Sequence, residues 1–171
     1  MEYTIRPAMP GDAEGINLLR RLPGTMENIL GIPSESVEEN RKYLLEHDPN
    51  RHQFVAVAEE EGKEIVIGTA GLHVSSSPRL RHTATIGIMV HTDYQNMGVG
   101  RALMETLLDL ADNWLMLVRI ELSAFCDNER AIHLYESLGF EKEGCARKAA
   151  IRNGEYVDEY IMGRIRNIAQ S

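Results

Sequence analysis

A chain of 171 residues, 43% hydrophobic and 26% charged, is long enough for one globular domain, expected over residues 1–171, and carries no repeat or low-complexity tract. Its net charge of −8 excludes nucleic acid as a partner, since phosphate contacts need a basic surface, and tilts weakly toward a cationic substrate. Charged residues interrupt every apolar run before bilayer length and the N-terminus has no signal-peptide core, so no membrane partner and a cytoplasmic location are expected.

Tyr3 to Arg6 reads as the first strand. Pro10-Gly11 breaks it, and Asp12 is placed to cap a helix carrying Ile16, Leu18, Leu19 and Leu22, which Pro23-Gly24 ends. Ser34 or Ser36, followed by Glu38 and Glu39, starts a second helix with Val37, Tyr43 and Leu44 as its apolar side. Gln53 to Glu59 and Ile65 to Val74 form a hairpin around Gly62, and Thr83 to Val90 is a strand rich in β-branched residues. A loop from Tyr94 to Gly100 enters the longest helix, Arg101 to Leu117, where Leu103, Leu107, Leu110, Ala111 and Trp114 recur at three and four residues. Arg119 to Phe125 returns as a strand. Asp127-Asn128 then caps a short helix with Ala131, Ile132, Leu134, Tyr135 and Leu138 inward and Gly139 just past its end. Asn153-Gly154 turns the last hairpin. The order β-α-α-β-β-β-α-β-α-β-β predicts an α/β (α+β) fold: a mixed, mostly antiparallel central sheet flanked by helices, with a parallel pair where the long helix crosses over.

Cys126 and Cys145 stand far apart without a C-x-x-C pattern, which argues against a metal site or a disulfide framework, and they read as buried or idle thiols. His47, His52, His73, His91 and His133 are scattered without ligand spacing, so no metal is expected.

The most informative stretch is Val90 to Leu103, where a strand ends, glycines follow at 98 and 100, and a helix begins at once. Converging backbone N–H groups and the positive end of a helix suit a diphosphate. No Lys-Ser/Thr pair follows Gly100, which disfavours nucleotide hydrolysis, and the third glycine of a dinucleotide fold is absent. Gln95, Gly98 and Gly100 match the Gln-x-x-Gly-x-Gly loop of the GNAT superfamily of N-acetyltransferases. Asn128 to Glu141 resembles that family's later Asn-x-x-Ala-x-x-Leu-Tyr-x-x-x-Gly-Phe segment. Both come in the family's order, each after a strand. Asp112 to Leu115, Arg119 to Leu122 and Arg152 to Asp158 also resemble bacterial members described as L-amino acid N-acetyltransferases.

The resemblance implies a GNAT-type sheet with a V-shaped cleft between two central strands, and acetyl-coenzyme A as the acetyl donor. The implied reaction is direct attack by a primary amine, a free L-amino acid or similar small amine. Acetylation of protein N-termini or polyamines stays open, as does a non-catalytic acyl-coenzyme A-binding regulator, and related proteins are commonly homodimers. Ile88, Met89 and Val90 would offer backbone groups to pantetheine and the thioester oxygen. Gln95 and Asn96 open the cofactor loop, and Met97, Gly98, Val99, Gly100, Arg101 and Ala102 would hold the diphosphate. Tyr135 takes the family's position for the group meeting the departing sulfur. Asn128 is either a pantetheine contact or only the helix cap. His82, by alternation on the face of Ala84, Ile86 and Ile88, and Glu121 are the candidates for a general base, each also readable as a surface residue. Glu27, Asn28 and Tyr156 are the candidate acceptor contacts.

Overall fold

A computed structural model of the chain describes residues 1–168. Its strands are β1 (Tyr3–Pro7), β2 (Arg51–Glu60), β3 (Lys63–Val74), β4 (Thr83–Val90), β5 (Arg119–Phe125), β6 (Glu141–Arg152) and β7 (Glu155–Ile165). Its α-helices are α1 (Ala13–Arg21), α2 (Val37–Leu45), α3 (Val99–Asp109) and α4 (Glu129–Ser137). The strands hydrogen-bond in the order β1-β2-β3-β4-β5-β7-β6, with β4 and β5 parallel. This is the mixed, mostly antiparallel sheet with one parallel pair that the element order predicts. The chain divides into two compact units, one of Met1–Leu72 with Gly87–Leu108, the other of His73–Ile86 with the chain from Asp109 on.

In the first unit β1 and β2 pair antiparallel from Tyr3↔Ala58 to Pro7↔Phe54. Ile16, Val55 and Val57 are buried together, and Ala8, Leu44, Val66 and Met89 pack against them. α1 buries Ala13, Ile16, Asn17 and Leu19, a spacing of three and four that leaves Leu18 58% exposed. Asp12 is not the side-chain cap of α1. Its carboxylate takes both guanidinium nitrogens of Arg6 at 2.9 Å and the Met9 N–H at 2.7 Å. Burial pushes that carboxyl up, but these bonds outweigh it and hold it below the usual range. Of the two possible starts for α2, Ser36 is the cap: Glu39 N–H donates to its Oγ, and the Glu39 carboxylate accepts from the Ser36 N–H. Buried Asn17 ties α1 to α2, donating to Glu35 O at 3.0 Å and Asn40 Oδ1 at 2.9 Å.

In the second unit Thr83, Ala84 and Thr85 pair with Arg119, Ile120 and Glu121, and β7 lies antiparallel between β5 and β6. The Asn153-Gly154 turn has φ of +51° and +80°, the left-handed pair a tight hairpin needs. The long helix stops early. Leu110–Trp114 forms a π-helical turn, with the Leu115 N–H donating to Leu110 O. The wider turn rotates the next residues out of phase, so Trp114, expected on the apolar stripe, is 77% exposed while Ala111 is fully buried. Arg164 clamps the turn through Asp112, at 2.9 and 2.7 Å. Cys126 and Cys145 are free thiols, but their Sγ atoms lie 3.8 Å apart, because the strands flanking β7 bring together what the chain separates.

Candidate active site

The loop after β4 is closed by its own side chains. His91 Nδ1 accepts from the Asp93 N–H at 3.2 Å, and its ring meets Tyr94 edge-on with centroids 5.4 Å apart. The Tyr94 hydroxyl donates to the Glu60 carboxylate at the end of β2, a bond that raises the phenol's pKa. Asn96 and Gly98 then take left-handed conformations, φ +62° and +84°. A Cβ at Gly98 would meet nothing within 4 Å, so backbone conformation, not space, calls for glycine there.

Those two residues turn the chain into α3. The first bond of that helix runs from the Ala102 N–H to Gly98 O at 3.0 Å, which makes Gly98 the N-cap. Ser36 and Asn128 fill the start of their helices with a side-chain oxygen, whereas Gly98 has no side chain to do so. The N–H groups of the first turn of α3 thus follow a cap residue that adds no side-chain oxygen of its own, and they stand at the positive end of the helix, the arrangement that receives a phosphate. Arg101 is exposed beside the loop and pairs with Glu105 at 3.7 Å, and Met97 is 55% exposed.

The His91 N–H donates to Ile67 O on β3 at 2.9 Å, and a Cβ on Gly68 of β3 would stand 3.3 Å from Met89 O. Because successive residues of a strand direct their backbone groups to opposite edges, Met89 and His91 face β3 and Ile88 and Val90 face away from it. Of the three strand residues expected to serve pantetheine, Met89 thus differs: its carbonyl faces β3 and its side chain packs in the first unit's core. The Val90 carbonyl is already engaged, accepting from Gln95 Nε2 at 3.1 Å and more distantly from Thr25 Oγ1 at 3.5 Å.

Glu27 and Asn28, the candidate acceptor contacts, both turn onto Gly24. The Gly24 N–H donates to Glu27 Oε2 at 2.6 Å, and Asn28 Nδ2 donates to Gly24 O at 3.0 Å. Gly24 has φ +84°, and a Cβ there would lie 3.0 Å from Thr92 Cγ2, so this loop rests on the turn after β4. The sequence marks Gly24 only as the end of a helix and does not mark Thr25 at all. Neither belongs to a periodic pattern, and only the fold shows that they adjoin residues 90 to 92.

Tyr135, Asn128, His82, Glu121 and Tyr156 belong to the second unit. Tyr135 is 7% exposed, tilted against Phe140, and burial pushes its hydroxyl up to about 12. Asn128 caps α4, its Oδ1 accepting from the Ala131 N–H at 3.4 Å. His82 does not share the inward face of Ala84 and Ile86: it is exposed, in the turn before β4, where its carbonyl accepts from the N–H groups of Val118 and Arg119. Strand alternation does not extend to a residue that precedes the strand. Glu121 Oε1 accepts from Arg119 Nη2 at 2.8 Å, and the same guanidinium grips Glu143. Tyr156 is 67% exposed with the Lys148 ammonium 5.8 Å from its ring centroid. Among the described residues no three His, Cys, Asp or Glu side chains gather as a metal site, and no helix is long and apolar enough to cross a membrane.

Comparison with known proteins gives this geometry a context. A profile described as the acetyltransferase (GNAT) family matches residues 22–140. The chain is 39% identical over 165 residues to the L-amino acid N-acetyltransferase AaaT of Escherichia coli K12, covering 96% of this chain and 99% of that protein. It is 28% identical over 159 residues to the spermidine N(1)-acetyltransferase of Vibrio cholerae, covering 92% and 89%. A crystal structure of a GNAT-family acetyltransferase from Streptococcus pneumoniae superimposes with a TM-score of 0.82 at 26% identity, covering 97% of this chain and 100% of that one.

Proposed function

Since this chain belongs to the acetyltransferase (GNAT) family, we propose that it transfers the acetyl group of acetyl-coenzyme A to the primary amine of a free L-amino acid or similar small amine. The observation that carries the reading is the start of α3, where Asn96 and Gly98 in left-handed conformations turn the chain into a helix capped by a glycine, with its first N–H groups at the positive end. Acetyl-coenzyme A supplies an activated thioester when bound. The N–H groups of Val99, Gly100 and Arg101 hold its diphosphate, with the Arg101 side chain adding charge. The outward backbone edge at Ile88 and Val90 orients pantetheine and polarises the thioester carbonyl.

Tyr135 acts on the sulfur. A thiol ionises near 8.5, so a phenol pushed up to about 12 stands roughly 3.5 units above it. Proton transfer from Tyr135 to the departing thiolate is therefore uphill by about 5 kcal/mol, and the hydroxyl serves as a hydrogen-bond donor that remains O–H. An α-amine with a pKa near 8 is partly neutral at pH 7 without a protein base. That suits a chain whose candidate bases are an exposed His82 and an Arg119-paired Glu121.

The L-amino acid acceptor is favoured because the relative acting on such substrates matches nearly end to end at 39%, against 28% for the spermidine enzyme. The test is thiol release from acetyl-coenzyme A across free amino acids, polyamines and N-terminal peptides. The expected result is turnover with amino acids. Turnover confined to polyamines would replace the acceptor. Tight acetyl-coenzyme A binding with silence across the panel would favour the regulatory binder.

A further inference from the structure

We infer that Gln95 and Thr25 are positioning residues that tie off the Val90 carbonyl and thereby fasten the acceptor loop to the acyl-binding edge of β4. The inference rests on the acetyltransferase reading for its kinetic consequences and on the first unit's geometry for its structural ones.

The edge of β4 that faces away from β3 alternates donors and acceptors: the N–H and C=O of Ile88, then those of Val90. An N–H on that edge attracts a thioester oxygen, whereas a bare carbonyl repels it. Val90 O is the last carbonyl of the strand, and it is directed into a side-chain amide at 3.1 Å, with the Thr25 hydroxyl on the same oxygen at 3.5 Å. Gln95 thus spends an Nε2 hydrogen within the protein, five residues back along the chain, rather than on a phosphate. Its place in the glycine loop is explained by reach: the turn at Thr92–Tyr94 folds residue 95 back over the end of the strand.

Thr25 is the second half of the tie. It is 4% exposed, which is unusual for a loop threonine, and it sits between Gly24, packed against Thr92, and the short turn Met26–Asn28. Glu27 and Asn28 both brace Gly24, so the segment from 24 to 28 is a closed clasp standing on residues 90 to 92. One carbonyl is therefore shared by the cofactor loop and the loop expected to meet the acceptor amine. Any shift of Val90 on cofactor binding is delivered directly to Thr25.

The test uses Gln95→Met, which keeps length and removes the donor, and Thr25→Val, which keeps shape and removes the hydroxyl. Affinity for 3′-phospho-ADP, the diphosphate half of coenzyme A, is measured by calorimetry. Acetyl transfer is followed by thiol release, and amide hydrogen exchange is read over residues 23–28 and 88–95. A positioning role predicts unchanged 3′-phospho-ADP affinity in both variants, with kcat down about tenfold in Gln95→Met. It also predicts a raised KM for the amine in Thr25→Val, and faster exchange in both segments for either variant. A tenfold loss of 3′-phospho-ADP affinity in Gln95→Met would make Gln95 a phosphate ligand and overturn the inference. So would unchanged exchange in the segment opposite the mutation. Exchange needs no turnover, so a wild-type protein inactive on every amine would remove the acetyltransferase reading while leaving the tie to stand or fall separately.

Discussion

Tyr135 and Gln95 lie at opposite ends of the range of what a side chain discloses in sequence. The tyrosine is placed on the inward side of a short helix by spacing alone, and the fold buries it there, raising its pKa to about 12 through desolvation. Its neutral form is the one the folded state favours, so the folded pKa exceeds the unfolded value near 10. The associated stability is fully present below about pH 10 and is lost as pH rises toward 12. Tyr135→Phe should therefore flatten part of the alkaline fall in Tm between those values, and lower kcat while leaving the KM for acetyl-coenzyme A nearly intact. The wild-type rate should show no decline from this group until beyond pH 10, measured with an amine already neutral. A loss of activity centred near pH 8.5 in wild type but not in Tyr135→Phe would mean that the phenol ionises far below its buried value. Gln95, by contrast, is legible as part of a motif but not in its task, because which oxygen its amide reaches depends on how the turn at Thr92–Tyr94 folds back.

At the scale of elements, local chemistry settles most of what the chain does. The Ser36–Glu39 box, the Asn128 cap and the Asn153-Gly154 turn all act within a few residues, and each falls where the sequence places it. What fails is set from a distance. The end of α3 becomes a π turn held by Arg164, whose partner Asp112 is 52 residues away, so no periodicity in residues 101 to 117 could disclose it. His82 and Trp114 fail for the same reason: a pattern is extended past the point where the element that generates it has ended. Gly98 shows a further limit, since a glycine in a motif does not say whether conformation or crowding requires it. Its φ of +84° and the open space at its Cβ position answer for conformation. Gly98→Ala should destabilise the fold by about 1–2 kcal/mol, and Gly98→Asn should recover most of that, because asparagine tolerates the left-handed region. Thermal melts of both variants check this; equal losses for Ala and Asn would point instead to steric demand by a neighbour.

The whole molecule adds a long-range term that no single site carries. A net charge of −8 attracts cations and leaves a zwitterionic amino acid almost indifferent beyond a Debye length of about 10 Å at 0.1 M salt. The two acceptor classes represented among the relatives therefore differ in a way that ionic strength can read. For a free amino acid, kcat/KM should change by less than about twofold between 0.05 and 0.5 M salt, since only short-range contacts hold the substrate. A polyamine, carrying several positive charges, should lose about tenfold or more over the same range as steering by the acidic surface is screened. Measuring both dependences on the same preparation separates intrinsic recognition from electrostatic capture. If polyamine turnover matches that of amino acids only at low salt and collapses at 0.5 M, the activity reflects the protein's charge and the amino acid remains the specific acceptor. If polyamine turnover persists at high salt while that of amino acids is negligible, short-range contacts select the polycation, and the acceptor assignment reverses.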